Sequence, residues 1–83
     1  MKYNEVQSYV YNLLIKKLDL ESNYFQSNAD NITFELIGCD MLDQVEIIED
    51  IEKKYKILID DTQVTYSTSI KDFIELIIKS TKY

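Results

Sequence analysis

Six carboxylates fall between Asp40 and Glu52, with no basic residue among them: Asp40, Asp43, Glu46, Glu49, Asp50 and Glu52. Grouped acids serve one of two purposes. They work as an acid–base pair inside a pocket, or they form a charged face that attracts a basic partner. One thiol, Cys39, stands directly before them. A thiol beside a helix N-terminus can have a depressed pKa and act as a nucleophile. The chain has no His, so an imidazole base and a His-based triad are excluded. No acid–base pair can be placed in a pocket from the sequence, and no enzymatic role is expected.

Composition removes further classes. Eighty-three residues allow one domain, expected to span 1–83, with a small core. A structural zinc site needs about four N or S ligands, which one Cys and no His cannot supply. Gly38 is the only glycine, so a glycine-rich phosphate loop is absent. Fifteen acids against nine bases give a formal charge of −6. That balance argues against nucleic acid and against an anionic membrane surface as partners. No apolar run approaches the roughly 20 residues of a membrane span. Met1-Lys2-Tyr3-Asn4-Glu5 lacks the apolar stretch of a secretory signal. With a lone thiol, the expected compartment is the cytoplasm.

The elements that must position these residues are helical. Val6, Val10, Leu13, Leu14 and Leu18 recur at helix spacing and predict a first helix over about 3–20, with Asn4 as its cap. Residues 21–39 read as a long connection. Ser22, Asn23, Ser27, Asn28, Asp30 and Asn31 are turn formers, and Ile32, Phe34, Leu36 and Ile37 are expected to pack on the core. The Asn31-Ile32-Thr33 sequon carries no meaning in a cytoplasmic protein. Asp40 is the expected cap of a second helix over about 41–54, with Asp43 favourable in its first turn. Ile57, Leu58 and Ile59 form an apolar connector. A short third helix is expected over about 61–66. Thr68 or Ser69 then caps a fourth helix carrying the stripe Ile70, Phe73, Ile74, Ile77 and Ile78. The absence of Pro agrees with a helical chain.

At about 100° per residue, Ile47, Ile48, Ile51 and Tyr55 share the core side of the second helix. Asp43, Glu46, Glu49 and Asp50 lie opposite, with Glu52 at the edge. The acids and bases outside this segment balance, so it holds the whole net charge. Leu42 and Val45 project with the acids. Apolar groups inside a charged face suit a docking surface, where charge steers a partner and the aliphatics anchor it.

The run Gly38-Cys39-Asp40-Met41-Leu42-Asp43-Gln44-Val45-Glu46 resembles the attachment motif of acyl carrier proteins, which reads Gly, small residue, Asp, Ser, Leu, Asp, any, Val, Glu. Ile47 through Tyr55 resembles that family's acidic second helix. Ile57-Leu58-Ile59-Asp60-Asp61 resembles its connector, and Thr68-Ser69-Ile70-Lys71-Asp72 the entry to its last helix. Val10 through Leu18 is similar to its first helix. The resemblance spans nearly the whole chain and is weakest over 20–35. It implies an all-α four-helix bundle with a long first loop and a short third helix. It implies a carrier of acyl, polyketide or aminoacyl thioesters, as in fatty acid or polyketide biosynthesis. In that family the thiol belongs to 4′-phosphopantetheine, joined to the motif Ser by a transferase that uses coenzyme A and magnesium. The acidic helix docks on basic patches of partner enzymes. Carried onto this chain, the docking positions are Asp40, Leu42, Asp43, Val45, Glu46, Glu49 and Glu52, and the attachment position is 41.

Met41 stands where the family has its Ser. A hydroxyl can lose a proton and attack the pyrophosphate of coenzyme A, whereas a thioether has no proton to lose. No phosphopantetheine is therefore expected on the chain as sequenced; a Ser at 41 would restore it by resemblance. Ser27, Ser67 and Ser69 lack the Asp-Ser-Leu setting, and Cys39 fits better as a small packed residue than as an acyl acceptor. Asp60 replaces a Pro of the pattern, Glu49 an apolar residue, and Lys53 and Lys54 stand where acids are common. The first expectation is a carrier-like module that docks on synthases or transferases as a monomer. The alternative is a working carrier in which Met41 is a substitution of the attachment Ser. A third reading, a helical domain of an oligomer, requires Leu42 and Val45 to be buried between subunits.

Overall fold

The computed structural model describes residues 2–26 and 31–82, with the backbone alone for 81 and 82. Turn formers at Ser27, Asn28 and Asp30 lie outside the described residues. Helix α1 spans Tyr3–Leu18, α2 Met41–Tyr55 and α3 Ile70–Lys79. Strand β1, Ile57–Leu58, pairs antiparallel with β2, Thr81–Lys82, with Ile57 opposite Lys82 and Leu58 opposite Thr81. This mostly helical architecture is acyl-carrier-like.

Each helix begins and ends for a local reason. Asn4 lies inside the first turn of α1. The N-cap is Lys2, which makes no side-chain cap bond. The helix stops two residues before the expected end because Asp19 turns left-handed at φ 55. Lys56 ends α2 in the same way at φ 56. Ser69 caps α3, its side chain accepting the Asp72 N–H at 3.0 Å.

The expected third helix is only a 3-10 turn, Asp61–Gln63. Asp60 opens it by accepting from the Thr62 N–H at 3.2 Å and from Gln63 Nε2 at 2.9 Å. It cannot grow further because the Thr65 N–H donates to Thr68 Oγ1 at 2.9 Å, not to a preceding helical turn. Hydroxyl side chains compete with the helix ladder in this way.

The core is one contiguous cluster. Val6, Val10 and Leu14 of α1 meet Ile47 and Ile51 of α2 and Ile70, Phe73, Ile74 and Ile77 of α3. Phe34 and Phe73 meet edge to face, centroids 5.2 Å apart at 74°. Tyr55 is half-buried and meets Tyr9 edge on at 5.6 Å. Ile57 and Ile59 are buried and Leu58 is exposed, so the expected connector alternates as a strand does. In the long connection, Phe34 and Ile37 pack inward as expected, but Leu36 points out, 67% exposed. Phe25 also enters the core, its ring stacked on Tyr11 at 4.3 Å.

Candidate functional site: the N-terminal half of α2

Backbone bonds between two loops set the entry to α2. Ile70 N–H donates to the Ile32 carbonyl at 2.8 Å, Phe34 N–H to Thr68 at 3.3 Å, and Glu35 N–H to Tyr66 at 2.9 Å. The segment preceding α2 is thereby tied to the segment preceding α3. A tight turn over 33–38 then reverses the chain, with Gly38 N–H donating to Glu35 at 3.1 Å and Cys39 N–H to Phe34 at 3.0 Å. Gly38 sits at φ 75, a left-handed conformation that L side chains resist, which is why the single glycine is spent here.

Asp40 caps α2 as expected, and the cap is reciprocal. The Asp43 N–H donates to Asp40 Oδ1 at 2.9 Å, and the Asp40 N–H donates to Asp43 Oδ2 at 3.4 Å. Such a capping box satisfies two orphan donors and places negative charge at the positive end of the helix. Met41 occupies the first helical position and is 65% exposed. Leu42 is 74% and Val45 48% exposed, so both stand outward on the acidic side.

The remaining acids divide by what they touch. Lys17 from α1 reaches across to α2, its Nζ 3.2 Å from Glu46 Oε2 and 3.2 Å from Asp50 Oδ2. Those two hydrogen bonds, Asp50 first, raise the Lys17 pKa above the ordinary lysine value. Glu52 serves the fold, its Oε2 accepting the Ile59 N–H at 2.9 Å. Glu49 is exposed and makes no ion pair among the described residues. At the far end, Lys54 turns its ammonium over the Tyr9 ring, 5.5 Å from the centroid.

Two neighbours complete the site. Cys39 is buried, and burial pushes its thiol up to about 12, with the Asp43 and Asp40 charges adding to the shift. The low-pKa environment that a helix N-terminus can give is absent, and the thiol is a packing group. Gln44, which the sequence pattern did not single out, is buried on the core side. Its Nε2 donates to the Thr65 carbonyl at 3.3 Å, tying α2 to the loop before α3. A polar residue at a wheel position between Ile51 and Ile48 was the available signal. Among the described residues no group of His, Cys, Asp and Glu could hold a metal ion, and no helix is long and apolar enough to cross a membrane.

No family model matches this chain, and no solved structure matches it. Curated proteins do. It is 32% identical over 77 residues to an acyl carrier protein of Cyanophora paradoxa, covering 93% of this chain and 73% of that one. It is 29% identical over 82 residues to an acyl carrier protein of Chloroherpeton thalassium, covering 99% of this chain and all of that one. With the capped acidic helix, the buried aliphatic core and these relatives together, the chain belongs to the acyl carrier protein family.

Proposed function

We propose that this chain is a carrier-like binding module that docks on partner enzymes and does not take 4′-phosphopantetheine. The observation that carries the reading is Met41. It stands exposed at the first position of an otherwise intact capped helix, where the family's motif has its Ser. A thioether has no proton to lose and forms no phosphodiester, so the residues present do not fit the arm. The remainder of the motif is kept, which favours retained recognition without cargo.

The partner is a carrier-dependent synthase or transferase with a basic patch. Charge complementarity supports that choice, because the unbalanced acids of the whole chain lie on α2 and its cap. Leu42 and Val45 supply the apolar anchors, with Glu49, which makes no ion pair among the described residues, beside them. Glu46 adds charge that it shares with Lys17. Asp40, Asp43 and Glu52 contribute field while serving the cap and the chain after the helix. The module is neither an enzyme nor a carrier of cargo, and it works as a cytoplasmic monomer. A sedimentation mass above that of one chain would contradict the last point.

Competition tests the reading. A genuine acyl carrier is charged by a broad-specificity phosphopantetheine transferase with coenzyme A and magnesium, with this protein in excess. Slower charging is expected, and Leu42→Ala with Glu49→Lys should relieve it. Unchanged charging at saturating excess would overturn the docking proposal.

A second reading has its own support. Position 41 is open to solvent, so a Ser would fit there without repacking. The chain would then be a working carrier whose attachment Ser has been changed to Met. A Ser codon at position 41 of the source gene decides for that reading, and a Met codon against it.

A further inference from the structure

We propose that Lys17 is an internal competitor for the docking face, holding Glu46 and Asp50 until a partner's cation displaces it. The inference rests on the docking role of α2 proposed above and adds how that face is tuned.

The geometry is specific. Glu46 and Asp50 are one helical turn apart and fall on one stripe of α2, so a single ammonium can serve both. The last turn of α1 places Lys17 opposite that stripe, at 3.2 Å from each carboxylate. The Lys17 side chain is 25% exposed, and those of Glu46 and Asp50 are 61% and 39% exposed. The cation is therefore the more sheltered member, and both acids remain reachable from solvent. Lys16, the preceding residue, makes no ion pair among the described residues. The arrangement is thus particular to one lysine and is not a general feature of a basic helix end.

A partner cation arriving at this stripe meets acids that are already half neutralised. It gains their full attraction only by displacing Lys17, which then returns to water. Exposed ion pairs are weak, so the competition grades affinity and does not block it. Removing Lys17 should tighten binding of a cationic probe about two- to fivefold at low salt. The effect should fade as salt screens both pairs.

The test titrates the isotope-labelled full-length protein with a pentalysine peptide at low salt and follows backbone amide shifts. Lys17→Gln and Lys16→Gln change the net charge equally, so their difference isolates the local contact. Lys17→Gln should bind the peptide about two- to fivefold more tightly than Lys16→Gln, and Lys17→Arg should bind like the parent. Equal affinities for the two Gln variants, with peptide-induced shifts on α2, would overturn the competitor role and leave the docking face standing. Shifts lying away from α2, with Glu49→Gln binding as tightly as the parent, would remove the docking face and the competitor with it.

Discussion

Glu52 and Ile59 are joined across the end of α2: the Glu52 Oε2 accepts the Ile59 backbone N–H at 2.9 Å. Ile59 is buried and Glu52 is half-buried, so water replaces this acceptor poorly. An acid that the family pattern places on the docking face is therefore also what holds the chain leaving the helix. Glu52→Ala should lower unfolding free energy by about 1–3 kcal/mol, the cost of stranding a shielded donor. Urea denaturation measures it. Unchanged stability would mean that Glu52 works only toward a partner.

The Phe34–Phe73 contact joins the long connection to α3. Phe73→Ala removes a fully buried ring and should cost about 3–5 kcal/mol. Ile51→Ala should cost about 2–5 kcal/mol. A chain of this size has roughly 5 kcal/mol in all. Either variant should unfold at a much lower urea concentration, and at the upper end of these losses it is partly unfolded at room temperature by circular dichroism; Phe73→Leu, which keeps most of the volume, should remain folded.

Gly38→Ala places a side chain at φ 75. A Cβ there meets no atom within 4 Å, so the penalty is backbone strain alone, about 1–2 kcal/mol. Denaturation should show that loss with no change in the slope against denaturant. No loss would mean that the turn before α2 readily relaxes.

Much of this was legible beforehand, and the omissions have causes. Apolar periodicity located α1, α2 and α3, since each stripe buries as a unit. The Asp40 and Ser69 caps were legible because short polar side chains at those offsets have one good use. The 3-10 turn was harder to anticipate: Thr65 and Thr68 bond to each other, and that pairing depends on a loop closure. The strand at Ile57–Leu58 was hidden because all three residues of Ile57-Leu58-Ile59 are apolar, which conceals the alternation. At the site, residue type disclosed the acidic face, but not that Lys17 crosses from α1 to reach it. That contact spans 29 positions in the chain and is set by helix packing.

Cys39 offers a pH test. Its folded pKa is raised to about 12, first by burial, against an ordinary thiol value of 9.0. The folded state therefore holds its proton where the unfolded state releases it. Stability from this group is complete below about pH 9 and is lost as pH rises from there toward 12. Lys17 and Tyr55 are also raised and act in the same direction. The urea midpoint should fall between pH 7 and pH 10, and it should fall less for Cys39→Ala. Equal falls would show that the thiol titrates freely in the fold. A thiol reagent at pH 8 should react far more slowly with native than with unfolded protein.

Position 41 carries the heaviest claim, and intact mass spectrometry addresses it directly. The unaltered protein and Met41→Ser are each incubated with coenzyme A, magnesium and a broad-specificity phosphopantetheine transferase. The unaltered protein should keep its mass, and Met41→Ser should gain one phosphopantetheine. A phosphopantetheine adduct on the unaltered protein would contradict the loss of the attachment site.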